Sequence, residues 1–345
     1  MTDQRPTLAD VARAAGVSMA AASRAMNGAY GVSEAVRHRV RSVAAELGFE
    51  PHAVARALAT GRASAGRRER IEVLILDPDP DAMSAKPFYG RVLTGAMRAL
   101  GDQGIALEVR RVSTLPVDDA DPPFGRLLIN VPGDAGAAYA RRGRAVALGR
   151  SAPGVAFVAP DNDSGGHQAA AHLVSTGRQR VGAVFGPPTP CAQERKAGFL
   201  RVMAGAAQEV AVADGDFTRA RAYAAAQELL ARDPKLDAVF ASCDVTAMGV
   251  LQALREAGRR VADDVAVVGF DGSALAEAAD LSSVYMPVED EAASAIRHLL
   301  DPVLPAPARL PTRLTVRGSS VSRPRGRLDA GPRCPTGPAS PGASR

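Results

Sequence analysis

Cysteine is scarce in this chain: Cys191, Cys243 and Cys334 are far apart and odd in number. That suggests neither a disulfide framework nor a zinc site. No apolar run approaches the roughly 20 residues that a bilayer span requires. The start, Met1 to Pro6, is polar and no apolar core follows it, so no secretory signal is read and the expected address is the cytosol, with no membrane partner. Signatures of catalysis are missing as well. There is no Gly-x-Gly-x-x-Gly after a strand, no phosphate-cradling Gly-Lys-Ser/Thr loop and no Gly-x-Ser-x-Gly elbow. His38, His52, His167, His172 and His298 form no metal-ligand spacing. No catalytic residue, cofactor or metal is therefore expected.

What is present is an ordinary globular composition, with 46% hydrophobic and 23% charged residues in 345. That excludes a wholly disordered chain, and the length favours about two or three domains. Charge is unevenly placed. Residues 1–70 carry 11 Arg and 6 acids, residues 71–322 carry 26 Lys+Arg and 30 acids, and residues 323–345 carry 5 Arg and 1 acid. A basic head on a mildly acidic body suits a nucleic-acid binder with a separate regulatory part. A bias towards arginine, which supplies all but three of the 42 cations, would not by itself place the asymmetry there.

The chain divides accordingly. Residues 1–61 are Ala- and Arg-rich and helical in pattern, residues 62–70 read as a linker, and residues 323–345 read as a disordered basic tail. Residues 71–322 alternate apolar strands with helical stretches: strands at Ile71–Leu76, Leu127–Val131, Val146–Leu148, Val181–Phe185, Ala238–Ala241 and Val265–Gly269, helices at Gly90–Leu100, Ala169–Thr176, Arg195–Met203, Ala220–Ala231 and Val245–Ala257. This alternation implies parallel sheets covered by helices, in two layers at this length. Ligands of such folds bind at the carboxyl ends of strands and in domain clefts.

The head reads as a helix-turn-helix. Thr7-Leu8-Ala9-Asp10 has the form of a capping box, Gly16 supplies a left-handed turn residue, and Val17 plugs the gap between helices. Ser18 caps a second helix that ends at Asn27-Gly28, and Ser33 with Glu34 starts a third. The apolar stripe of that third helix is Val36, Val40, Val43 and Leu47, with Gly48 as its stop. A plain three-helix bundle would use the same Ala12 and Ala15, but the basic excess favours DNA.

These residues, with Ser23-Arg24, Val32-Ser33, Ala45-Glu46-Leu47-Gly48-Phe49, Pro51 and Ala55-Arg56-Ala57-Leu58, resemble the headpiece and hinge helix of the LacI–GalR transcription regulators. The resemblance implies that the second helix enters the major groove. Met19, Ala20 and Arg24 then face bases, while Ser18, Ser23, Asn27 and Ser33 hold phosphates. It also implies that the hinge containing Ala55 enters the minor groove and that Leu58 wedges the central base step. Met19 and Ala20 carry no donors, so Arg24 is the expected direct reader, of a guanine. His52 and Ala21 stand where the family often has Asn and Thr.

The body resembles the same family from Pro87-Phe88-Tyr89 through Asp161-Asn162, Gly165-Gly166, Arg195, Gly198-Phe199, Asp244 and Val267-Val268-Gly269-Phe270-Asp271 to Arg317-Gly318-Ser319-Ser320, in the place of the usual last strand. The implied fold is an all-α helix-turn-helix head plus an α/β periplasmic-binding-protein-like body of two parallel-sheet subdomains. The implied pocket holds Asp161, Arg195 and Asp271 at strand or helix ends, with Phe88 and Phe270 as apolar faces. Carboxylates and a guanidinium together pair with several hydroxyls, which suits a sugar or polyol effector. For Asp161 a plain helix-start carboxylate fits equally well. Cys243 stands where the family commonly has Asn, and Cys191 in the loop before Arg195 where it often has a polar contact. Only 14 residues separate Val112 from Leu127, where the family usually carries a crossover helix, so a partly uncovered or reordered sheet is expected. The function expected is a repressor that binds a pseudo-palindromic operator as a homodimer under effector control. The alternative is a ligand-independent DNA-binding regulator with a degenerate pocket.

Overall fold

The structure, a computed structural model, describes residues 7–26, 33–47, 70–116, 122–149, 154–302 and 309–321. The head contains α1 (Leu8–Ala14), α2 (Met19–Met26) and α3 (Glu34–Glu46). Each start follows from its cap. The Thr7 hydroxyl accepts the Asp10 amide at 3.3 Å while the Thr7 amide donates to the Asp10 carboxylate at 2.9 Å, a reciprocal box that satisfies two otherwise orphaned donors. Gly16 turns the chain at φ 63°, and the Ser18 hydroxyl then accepts the Ala21 amide at 3.2 Å. Ser33 accepts the Val36 amide at 3.4 Å to begin α3. The core between the helices is Val11, Ala12, Ala15, Ala22, Ala25, Val40 and Ala44, with Val17, Val36 and Val43 packed on it. Alanine at most of these positions lets the helices approach closely. Leu47 does not join the stripe expected for it: it is the C-cap of α3, past the last full turn, and is 40% exposed. Asn27, Gly28, Gly48, His52, Ala55 and Leu58, most of the linker and the basic tail lie outside the described residues.

The body runs β1 (Arg70–Leu76), α4 (Ala82–Ala85), α5 (Pro87–Leu100), β2 (Ala106–Val112), β3 (Gly125–Ile129), α6 (Gly133–Arg142), β4 (Arg144–Leu148) and β5 (Ala156–Pro160). It continues with α7 (Asn162–Ser175), β6 (Val181–Phe185), α8 (Pro190–Gly205), β7 (Val210–Asp214), α9 (Arg219–Arg232), β8 (Ala238–Ala241) and α10 (Asp244–Glu256). β9 (Ala266–Asp271), α11 (Ala274–Ala278), β10 (Ser282–Tyr285), α12 (Val288–Leu300), β11 (Arg309–Leu310) and β12 (Arg313–Thr315) complete it. The strands form two sheets, ordered β11-β5-β4-β3-β1-β2 and β12-β10-β9-β8-β6-β7. All neighbours are parallel except β12, which runs antiparallel to β10. Several expected boundaries shift; the helix expected at Ala169–Thr176, for one, begins at Asn162 and ends at Ser175. Residues 318–320 form a turn rather than a last strand; the final strand among the described residues is β12. β3 stops at Ile129 because Asn130 takes a left-handed φ of 58°, which asparagine tolerates and which ends strand pairing.

The chain passes between the two lobes at Asp161, at Met286–Pro287 and at residues 311–312, since α12 returns to pack on the first sheet. Asp161 and residues 311–312 are bundled by the Asp161 amide donating to Leu310 O at 2.8 Å and the Thr312 hydroxyl donating to Asp161 O at 3.1 Å. On one face of the first sheet Ile71, Val73, Ile75, Leu127, Ile129, Val146 and Leu148 join the main core with Val92, Ala96 and Ile296 from α5 and α12. On the other, no helix lies between β2 and β3 among the described residues. The sheet keeps a regular order, and a charged lattice fills the space. Buried Glu72 receives the Arg126 guanidinium at 2.6 Å and that of Arg110 at 2.9 Å, and Arg70 reaches Glu108 at 2.8 Å. The Arg126 guanidinium also lies 5.0 Å from the Tyr139 ring centre.

Removing one member of a buried pair strands its partner's charge. Glu72→Ala should therefore cost about 3–5 kcal/mol, read as a lowered urea midpoint at pH 7. A change within experimental error would show that this lattice is solvated and carries no load.

Candidate functional site

The strands of both sheets end at one cleft, and the residues at those ends carry the polar chemistry. From the first lobe come Asp77 after β1 and Asn130 after β3. The Tyr89 hydroxyl donates to Asp77 Oδ2 at 2.6 Å, Lys86 Nζ reaches the same oxygen at 2.7 Å, and Asn130 Nδ2 donates to Tyr89 at 3.1 Å. Burial works against the Asp77 carboxylate, but the Lys86 and Tyr89 hydrogen bonds outweigh it and hold its pKa below the usual value.

From the second lobe comes Arg195, only 5% exposed. It lies inside α8 rather than at its start, and close helix packing places it. A Cβ on Gly166 would stand 2.1 Å from the Arg195 carbonyl oxygen, and one on Gly198 2.0 Å from that of Asp163. Glycine at both sites lets α7 and α8 touch. The guanidinium then donates from Nε to Asn162 Oδ1 at 2.8 Å, from Nη1 to Ser242 O at 2.7 Å and from Nη2 to Met286 Sδ at 3.1 Å. Asp271 Oδ1 lies 3.5 Å from Nη1, and the plane covers the Phe270 ring at 4.0 Å. Phe270 is thus fully buried beneath Arg195 and offers no free face to a ligand, contrary to expectation.

The other expected residues fall in different places. Asp271 ends β9 with φ 107°, an uncommon conformation for a residue with a side chain. Burial, opposed by Arg195 and reinforced by Asp244, raises its carboxyl to about 7. Asp161 is not drawn to this pair: its carboxylate accepts the Ser164 amide at 3.0 Å as the cap of α7, the plain helix-start role. Cys243 is buried and caps α10 through its sulfur, 3.4 Å from the Thr246 amide, with the thiol pushed up to about 12 by desolvation. Cys191 sits in the first turn of α8 rather than in a loop, half-buried, with Sγ 3.2 Å from the Thr189 hydroxyl. Phe88 does reach the cleft: with Pro87, Arg91, Val245, Asp271, Ser273 and Met286 it lines a cavity of about 10 Å³, the room of one water. A larger cavity of about 420 Å³ opens on the other side of Arg91 and Ser273, lined also by Gly272, Tyr285 and Glu289.

Sequence reasoning missed Asn130, Asn162, Met286, Arg91 and Glu291. Arg91, on α5, forks onto Glu289 with two 2.8 Å bonds and donates to Asp271 O at 3.0 Å and Met286 O at 2.8 Å. It therefore ties the lobes together beside the cavity. Asp244 is buried, accepting from the Ser273 amide at 2.7 Å, its hydroxyl at 2.8 Å and the Ser283 hydroxyl at 2.6 Å. Glu291 is 1% exposed, and neither carboxylate oxygen has a hydrogen-bond partner among the described residues. The only available signal was an acid within the apolar pattern of a helix. Among the described residues there is no group of acids, His and Cys that could hold a metal, and no helix long and apolar enough to cross a membrane.

In the head, Ser18 and Ser33 are exposed, and Met19 at the start of α2 is 58% exposed. Ala20, Ser23 and Arg24 lie on the same helix.

The profile of the bacterial regulatory proteins, lacI family, matches residues 7–52, and that of the periplasmic binding protein-like domain matches residues 170–320. The HTH-type transcriptional regulator CelR of Thermobifida fusca is 35% identical, over 92% of this chain and 98% of its own length. The chain belongs to the LacI family. It is a transcriptional regulator and not an enzyme. The ribose operon repressor of Halalkalibacterium halodurans is 30% identical to this LacI-family regulator over 90% of it and 96% of the relative. Among solved structures, a CelR–cellobiose complex has 31% identity and a TM-score of 0.65, covering 91% of this chain and all of that one. The lac repressor dimer bound to operator shares the fold, with a TM-score of 0.66 at 22% identity over 92% of this chain and 100% of that one.

The regulator's buried acids predict its pH response. Burial raises Glu291 from 4.5 to about 8, against the opposing pull of Arg195 and Arg91, and Asp271 from 3.8 to about 7; Asp244 beside them is also raised by burial. The unfolded chain releases these protons near the ordinary values, so the folded state holds more protons from about pH 4 to about pH 8. Stability from these groups is complete below that window and is lost as pH rises through it. Urea midpoints should fall between pH 5 and pH 8.5, with a shallower fall in Glu291→Gln. Identical slopes would remove Glu291 from this role.

Proposed function

We propose that this regulator is a cytoplasmic repressor that binds a pseudo-palindromic operator as a homodimer and is controlled by a sugar or polyol in the cleft. The observation that carries the effector reading is the contact from Arg195 Nη2 to Met286 Sδ at 3.1 Å, beside the Asp271 carboxyl. Thioether sulfur is a weak acceptor. A ligand hydroxyl that displaces it gains a charge-assisted hydrogen bond from Arg195 and offers its own proton to Asp271. Asn130 and Phe88 present an amide and an apolar face from the other lobe. CelR was solved with cellobiose, and the lac repressor as a dimer on its operator; both support this reading. Entry of the ligand parts the lobes and works against the Arg91 tie. Only a ligand with different affinities for the two arrangements shifts DNA affinity, and the coupling is reciprocal.

In the head, Arg24 reads a guanine in each half-site and Met19 and Ala20 make apolar contacts. Ser18, Ser23, Asn27, Ser33 and His52 hold the backbone, and Leu58, with Ala55 on the same hinge, wedges the minor groove. Arg24→Ala should lose about 1–3 kcal/mol of discrimination at one G per half-site. Equal weakening on all sequences, by fluorescence anisotropy at fixed salt, would make Arg24 a phosphate contact instead.

A second reading, DNA binding without an effector, draws on Cys243, whose sulfur is spent on a helix cap, and on the 10 Å³ cavity. A thermal-shift screen against sugars and polyols separates the two. A ligand at a hundredfold excess over its dissociation constant should add about 2.7 kcal/mol of apparent stability, lost in Asp271→Asn. Silence across the panel with DNA binding intact would select the second reading.

A further inference from the structure

Among the described residues, Glu291 is a fully buried acid near the cleft whose carboxylate oxygens have no hydrogen bond. Its place in the fold gives this meaning. The last turn of α12 lies at the amino ends of the first-lobe strands, where Arg144 Nη1, from the first residue of β4, donates to Leu299 O at 2.8 Å and Leu300 O at 3.2 Å. The first turn of α12, which holds Glu291, therefore lies at the carboxyl ends of those strands, with Asp77 and Asn130. Only Pro287 separates it from Met286, the residue that touches Arg195.

The cations that act most on Glu291 are Arg195 and Arg91, and both are committed elsewhere. Arg91 spends its donors on Glu289, Asp271 O and Met286 O. Arg195 spends its own on Asn162, Ser242 O, Met286 Sδ and, at 3.5 Å, Asp271. Asp244 has three hydrogen-bond donors from Ser273 and Ser283; Glu291 has none. Buried charge is tolerated only when paired and hydrogen-bonded. A neutral hydroxyl supplies Glu291 with a donor but no charge, whereas an ammonium supplies both.

We propose that Glu291 is a recognition residue of the cleft and that the effector presents a protonated amine to it from a hydroxylated body, as an amino sugar or amino polyol does. This rests on the reading of the cleft as an effector site. The hydroxyls meet Arg195 Nη2 and Asp271, the carbon skeleton lies against Phe88 and Val245, and the ammonium pairs with Glu291.

Isothermal titration of the full chain at pH 7 tests this with matched pairs: glucosamine against glucose, galactosamine against galactose, 1-amino-1-deoxysorbitol against sorbitol, and N-acetylglucosamine as the uncharged amide. The expected result is that at least one amine binds tenfold or more tightly than its neutral partner and its amide. In Glu291→Gln, which keeps shape and removes charge, that preference should shrink below threefold. Amine and neutral forms binding alike, or a preference that survives Glu291→Gln, would overturn the proposal and leave the sugar-effector reading standing. No binding by any member, with DNA affinity intact, would overturn both. The comparison within the unaltered chain stands even if the variant folds poorly.

Discussion

A guanidinium withdrawn from water must find acceptors for its donors, and Arg195 finds them on separate stretches of chain. Asn162 opens α7, Ser242 follows β8, Asp271 ends β9, and Met286 lies on the crossing between the lobes. The Phe270 ring beneath the guanidinium fixes its plane. This arrangement depends in turn on Gly166 and Gly198, where any side chain would push α8 away from α7. The position of one charge is thus set by two residues that have no side chain.

Around that charge the cleft is rich in acid. Asp244, Asp271 and Glu291 are all held above their ordinary carboxyl values by burial, and a single arginine, Arg195, lies among them. Arg91 adds a second cation but gives it to Glu289 and to two carbonyl oxygens across the seam. The same side chain therefore joins the lobes and limits the positive charge left for the cleft. Arg91 also lines the cavity of about 10 Å³ beside Phe88 and Asp271.

The first sheet solves a different problem. A parallel strand connection usually brings a helix to cover the sheet face, and the short segment after Val112 brings none among the described residues. The strand sequences compensate: Glu72, Glu108, Arg110 and Arg126 occupy the positions that would otherwise be apolar, and they pair with one another. The charges are matched across neighbouring strands, and α6 covers the adjoining part of this face, with Tyr139 packed on Leu74 and Leu128 and lying over Arg126.

Local chemistry is what the sequence determined by itself. The capping box at Thr7, the Gly16 turn, the Ser18 and Ser33 caps and the apolar runs of β6 and β8 each depend on residues within one turn or one strand, and they were legible without coordinates. So was the family, because the head motif is short and dense. Tertiary structure alone decided the cleft. Whether Asp161 caps a helix or meets a ligand, and whether Phe270 shows a face or lies under Arg195, depends on where distant segments come together. Cys243 and Glu291 make the same point: one sulfur turns back to its own helix, and one carboxylate is sealed among elements far apart in the chain. A side chain's type sets what it can bond, but its partners are supplied by the fold, and in this cleft most of them are tens to hundreds of residues away.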